Sequence, residues 1–187
     1  MWTGMTNVMM YLVRSIRQMV THTKELDSAM TFLKRVTDET DTAYERMFDN
    51  ATKKAKELNS SIKDIINTTA EFAKLGFSSE EAEKLAEATT VYARVGQLDM
   101  TDATESIVST LSGFKDLSTD DIWKIVDEFD NVGNKFAISS GGIGEALKRS
   151  AASLSEANNS LEESIALVTT ANSVVQDPEK VGRYCQR

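Results

Sequence analysis

A chain of 187 residues with 41% apolar and 27% charged side chains can build a core and is too hydrophobic for a disordered tail. Its formal net charge of −8 argues against a nucleic-acid surface, which needs clustered Lys and Arg. A single proline permits a nearly all-helical chain, and the lone Cys185 excludes an internal disulfide and a cysteine metal clip.

The charge is uneven. Arg14, Arg17, Lys24, Lys34 and Arg35 face only Glu25 and Asp27 in residues 1–35, so the acidic part is the main body. No basic residue precedes the uncharged stretch from Met1 to Val13 and no cleavage site follows it, so no signal peptide is read there. Thr3, Thr6 and Asn7 interrupt that stretch and Arg14 and Arg17 stop it, so a membrane span is not expected.

The first predicted element is a long helix from about Thr6 to Val36. Met5, Met9, Leu12, Ile16, Met19, Thr23, Leu26, Met30 and Leu33 alternate spacings of four and three, a heptad seam with one polar member. Two readings stay open: a helix packed on its own body, or a seam that pairs with a second chain. The methionines make that surface adaptable rather than tightly specified. His22, the only histidine, has no ligand set around it and reads as a bystander.

A second helix is predicted from about Asp41 to Leu58, after N-cap candidates Thr37 and Thr40, with Tyr44, Met47, Phe48, Ala51 and Ala55 on its buried stripe. A third runs from Ser61 to Leu75 and ends at Gly76, with Phe77 as the apolar contact expected after a glycine cap. The chain then repeats a pattern. Ser78 with Glu81, Ser118 with Asp121 and Ser160 with Glu163 are capping boxes, each opening an amphipathic helix. Between them lie predicted helices Asp102 to Lys115 and Gly144 to Ala157. The spacing of the cap serines predicts an all-α fold of stacked helical hairpins with a period of about 40 residues. An irregular closed bundle that reuses the same caps is the alternative.

The stretch Asn131 to Ser153 holds Gly133, Gly141, Gly142 and Gly144 and invites a phosphate-binding reading. It fails on its residues. No strand precedes it, Glu145 follows the glycines, and Lys148 is a turn too far for a Walker loop. The structural reading is a sharp turn and a close helix approach. The acidic pairs Asp38-Glu39, Glu80-Glu81 and Asp120-Asp121 fall at helix starts, where capping accounts for them. No nucleophile–base pair is visible. No catalytic, cofactor-binding or metal-ligating residue is therefore assigned, and no enzyme, cofactor or nucleotide is expected.

Asp177-Pro178-Glu179 is a strong helix start, yet little beyond Val181 and Gly182 follows it. The expectation is a helix begun without an apolar stripe to run on.

Four segments carry a resemblance: LDSAMTFLKRVTDETDTAYERMF, FAKLGFSSEEAEKLAEATTVYARVG, FDNVGNKFAISSGGIGEALKRSAASL and IALVTTANSVVQDPEKVG. They resemble the core of phage tail tape measure proteins, of the kind common in long-tailed phages and prophages of Gram-positive bacteria, over about residues 25–182. The resemblance implies a long helical protein that assembles in a few copies inside the tail tube and sets its length. It also implies tail-tube and tail-chaperone partners, and places in the virion tail and, during assembly, the host cytoplasm. Family members are far longer and continue helically where this chain reads RYCQR, so the expectation is a truncated core. The division expected is a coiled-coil-like helix 1–36, a core 37–182 and a tail 183–187 outside the family pattern. A stand-alone helical adaptor, or a prophage remnant without function, is the alternative.

Overall fold

A computed structural model describes residues 2–186, and the side chains of all of these except 2–9, 11–13 and 16. The seam residues Met5, Met9, Leu12 and Ile16 thus lie outside the described side chains. Among the described residues the chain is all-α: α1 Trp2–Val36, α2 Asp41–Glu57, α3 Ile62–Lys74, α4 Ser79–Val95, α5 Met100–Gly113, α6 Ile122–Gly133, α7 Ser140–Glu156, α8 Leu161–Val175 and α9 Pro178–Cys185. A 3-10 turn, Thr119–Asp121, leads into α6. None of these helices is long and apolar enough to cross a membrane.

The caps explain where the helices begin. The Ser78, Ser118 and Ser160 side chains each accept from the backbone at the start of their helix, while Glu81, Asp121 and Glu163 reach back to the serine N–H. Each box satisfies two amides that would otherwise have no partner. Thr40 caps α2. α3 ends on Gly76 at φ +96, and Phe77 folds back edge-on to Phe72 at 6.2 Å. α4 stops at Gly96. Gly96 keeps a right-handed φ of −75, and the left-handed residue is Gln97 at φ 52. Glycine avoids the Cβ clash of that conformation. Gln97→Gly is therefore expected to raise stability by up to about 1 kcal/mol, readable as a higher urea midpoint with unchanged slope.

The helices fall into two rows. Odd-numbered helices pack side by side, α1 on α3, α5 on α7 and α7 on α9, with a lighter α3–α5 contact. Even-numbered helices form the other row, where α4 packs on α6. The main helix pairs all join elements one or two apart in the chain.

Ion pairs span the even row. Lys54 meets Glu87 at 2.5 Å between α2 and α4, Lys84 reaches Asp120, and Lys124 reaches Glu162. The last two share one register: the lysine lies six residues past one cap serine and its acid two residues past the next. Exposed pairs of this kind add little energy singly, but they fix how neighbouring helices align.

Two cores meet at α3. One gathers Ala29 and Leu33 of α1, Tyr44, Met47, Ala51 and Ala55 of α2, and Ile65, Ile66 and Ala70 of α3. The other, larger, runs from Phe72 through α4 to α9. The last third of α1 is thus part of the body, while Met19 farther up the seam is exposed. Small side chains let the helices approach closely. Their buried hydroxyls need no external partner, because Thr89, Thr90, Thr110 and Ser150 each donate to the carbonyl four residues earlier.

α9 corrects an expectation. It does form, because Asp177 accepts from the Lys180 N–H at 3.1 Å and Val181 and Gly182 bury against α7. A full apolar stripe is unnecessary where one valine and one glycine seat the helix. A Cβ on Gly182 would stand 2.5 Å from the Ala146 carbonyl oxygen.

Candidate functional site

The glycine-rich stretch joins α6 to α7. Ser139 accepts from the Gly142 N–H at 3.0 Å, so α7 begins at Ser140 and not near Gly144. Gly141, Gly142 and Gly144 therefore lie inside the first turns of a helix rather than in the loop before it. All three are buried. A Cβ on Gly141 would stand 2.7 Å from Leu98, one on Gly142 would stand 3.1 Å from both Ile138 and Pro178, and one on Gly144 would overlap the Tyr92 hydroxyl. The glycines are there because neighbouring helices occupy the space a side chain needs.

Tyr92 fixes this corner. It donates to the Ser140 carbonyl at 3.0 Å, and its ring meets Phe129 edge-on at 5.5 Å. Burial holds its phenol far above the ordinary tyrosine range, so it stays neutral and hydrogen-bonding. The sequence marked the glycines but not the partner tyrosine, whose position depends on the fold.

Beside the corner lies a cleft walled by Gly96, Leu98, Ser139 and Gly141 and by the carboxylates of Asp102, Asp130, Glu145, Asp177 and Glu179. The amino end of α7 would favour an anion, but this wall opposes one. Lys148, on α7 itself, is committed elsewhere. It lies 2.9 Å from Glu105, 3.1 Å from Glu145 and 3.6 Å from Asp102. The hydrogen bond to Glu105 leads the effects that hold its ammonium well above the ordinary lysine range. The chemistry of the cleft is electrostatic fastening of α7 to α5, and α9 is fastened similarly through Arg149 and Glu179 at 2.9 Å.

The remaining chemistry-bearing residues are dispersed. His22 is exposed on α1, 3.9 Å from Glu25. Cys185 is half-buried, and burial pushes its thiol up and away from reactivity. Among the described residues, no three His, Cys, Asp or Glu side chains are grouped to hold a metal.

The capping boxes carry a pH signature. The Ser78 hydroxyl and N–H hold Glu81 below its ordinary value of 4.5, and Ser118 does the same to Asp121, below 3.8. Lys124 leads the effects that lower Glu162. Carboxylates depressed in the folded state stabilise it above their unfolded values and lose that contribution as pH falls through the folded ones. The melting temperature is expected to be flat from pH 7 to about 5 and to drop below about pH 4. Combining Ser78→Ala with Ser118→Ala should lower the plateau and make the acid drop shallower, as read by circular dichroism melts.

Large apolar side chains are exposed at several places, among them Leu75, Val95, Trp123 and Tyr184. Met10, Met19 and Val20 stand out on α1, and Phe136, Leu167 and Val174 surround the α6–α8 end of the array, with Val174 84% exposed.

A family model described as phage-related minor tail protein matches residues 52–184, from α2 through α9. No solved structure matches the chain.

Proposed function

We propose a role that starts from one premise: the chain belongs to the phage-related minor tail protein family. It is a structural protein of a phage tail. Within that role we read it as the core of a tape measure protein, a helical scaffold around which tail-tube subunits polymerise and by which tail length is set. The match from the end of α2 through α9 supports this reading. The role is non-enzymatic: the glycine corner is a packing joint, and Lys148 is held by carboxylates.

The partners that fit are other copies of the chain, through the exposed part of the α1 seam, together with tail-tube subunits and the tail chaperones that hold the protein before assembly. Met19 at a seam position is 69% exposed, while Leu33 on the same seam is buried against the body. One seam thus begins as an internal contact and continues as a free one. Quantitative mass spectrometry of purified tails tests the assignment. Far fewer copies of the chain than of the tube subunit are expected, with lysine cross-links joining the two. A copy number equal to that of the tube subunit, or absence from purified tails, would refute it.

A further inference from the structure

The division of the core at α3 has a mechanical side. Every residue of the smaller core belongs to α1, α2 or α3, and so do the half-buried apolar residues packed against it, Leu26, Met30, Phe32, Phe48 and Ile62 among them. Among the described residues only Val36, at the end of α1, packs against both cores. The α1–α2 hairpin is also fastened within itself. The Tyr44 hydroxyl donates to the Thr37 carbonyl at 3.1 Å and accepts from the Glu39 N–H at 3.2 Å. The hairpin thus has the contacts to move as one piece.

Its ties to α4 are of a different kind from those between α4 and α6, which meet through the buried Tyr92 and Phe129 rings. α2 is tied to α4 by polar side chains. Asn50 donates to Glu83 at 2.9 Å, and Lys54 meets Glu87 at 2.5 Å. The Ser79 hydroxyl donates to Glu39 at 2.5 Å. Such half-exposed contacts add little singly. Between α2 and α4 lies a hollow of about 290 Å³ with Leu33, Ile65 and Ile66 in its lining. One Glu83 carboxylate oxygen is buried there without a hydrogen-bond partner, which offsets part of what closing this side gains. A second hollow, of about 470 Å³, lies between α3 and α5, where the Thr68 and Thr104 hydroxyls stand 3.3 Å apart. The link from α2 to α3 supplies a pivot. Asn59 is left-handed at φ 46, and the Leu58 carbonyl accepts from the Arg94 guanidinium of α4.

We infer that the α1–α2 hairpin is a strap that opens as one unit, lifting from α3 and α4 about the link at residues 58–61 while α4–α9 stay folded. Opening breaks the smaller core and the polar ties and leaves the larger core whole. Cooperative units follow such boundaries of packing, and hinges lie in short links between elements. If copies associate through α1, as proposed above, the strap lets the α1 seam change direction from the array without disturbing the glycine corner. The opening itself does not depend on that association.

Native-state hydrogen exchange of the full chain in increasing, sub-denaturing urea tests it. A lifted helix loses most of its stability with its packing, so its amides exchange. Amides at residues 29–33 of α1 and 47–55 of α2 are expected to share one opening. It should be at least about tenfold more frequent than that of residues 86–92 of α4 and 143–147 of α7, with a shallower urea slope because less surface is exposed. Ile125→Val distinguishes this from a single cooperative unit, because it weakens only the larger core, which stands before and after the strap opens. Exchange at 86–92 and 143–147 is expected to rise about fivefold, and exchange at 29–33 and 47–55 to stay unchanged. Equal acceleration at all four segments overturns the inference, as does one shared opening for all four, or unrelated slopes at the α1 and α2 amides. Leu33→Asp with Met47→Asp forces the strap open. Residues 143–147 are then expected to keep their protection, and its loss would show that the larger core does not stand without the hairpin and would sink the proposal.

Discussion

Phe129→Ala is expected to lower the free energy of unfolding by about 3–5 kcal/mol, the largest loss from any single truncation of α6. Phe129 is fully buried at the centre of the larger core, edge-on to Tyr92. Removing the ring forfeits its transfer from water, the aromatic pair, and the contacts of the lining around the cavity it leaves. Tyr92 cannot relax into that space without giving up its hydrogen bond to the Ser140 carbonyl. The damage should therefore extend to the glycine corner and loosen the start of α7. Urea denaturation measures the total, and amide exchange at Gly141 to Gly144 reads the corner. A loss under about 1 kcal/mol would mean that α4 and α6 are not packed as described.

Gly113→Val is expected to cost about 3 kcal/mol, at the upper end of overpacking. Gly113 closes α5 where α5 crosses α7. A Cβ there would stand 2.6 Å from the Ala151 Cβ and 2.9 Å from the Ala151 carbonyl carbon and the Ala152 nitrogen. Two of those three atoms are backbone, so no rotamer change relieves the overlap and the helices must separate. Ala151→Gly removes only the methyl and should recover a part of the loss, a coupling visible in a double-mutant cycle. Ser112→Val, one residue earlier and exposed, is the control, expected to stay within about 0.5 kcal/mol. Comparable losses for residues 112 and 113 would remove the close α5–α7 crossing from the account.

How much of this was legible in the sequence follows from the range of the forces involved. Ser78, Ser118 and Ser160 could be read directly, because a capping box is complete within four residues. The start of α7 was misplaced because Gly141-Gly142 reads as loop when only propensity is weighed. Packing overrides propensity there, since Leu98, Ile138 and Pro178 fill the space a side chain would take. α9 was undervalued for the same reason in reverse: its stability lies in Ala146 and the rest of α7 rather than in its own stripe. Gln97, just past the end of α4, takes the left-handed position, a choice of one residue that propensity does not resolve.

At the candidate sites the glycine stretch stands out in the sequence, and the Glu145 and Lys148 positions weigh there against a phosphate reading. It could not show that Lys148 gathers three carboxylates from α5 and α7, because Asp102 and Glu105 are far from it in the chain. The seam on α1 was legible as a pattern, but its division into a buried part at Leu33 and an exposed part at Met19 depends on where α3 begins, beside Glu25.

Tail length is the measurement that bears most directly on the central claim, that this helical array is a structural element by which a phage tail is built and measured. Electron microscopy of particles from a phage carrying the gene would compare the intact gene, an in-frame removal of the segment for residues 52–184, and the removal complemented in trans. The account predicts that removal abolishes tails of uniform length, leaving none or a broad distribution, and that complementation restores the single length. Tails of the original uniform length after removal would contradict it.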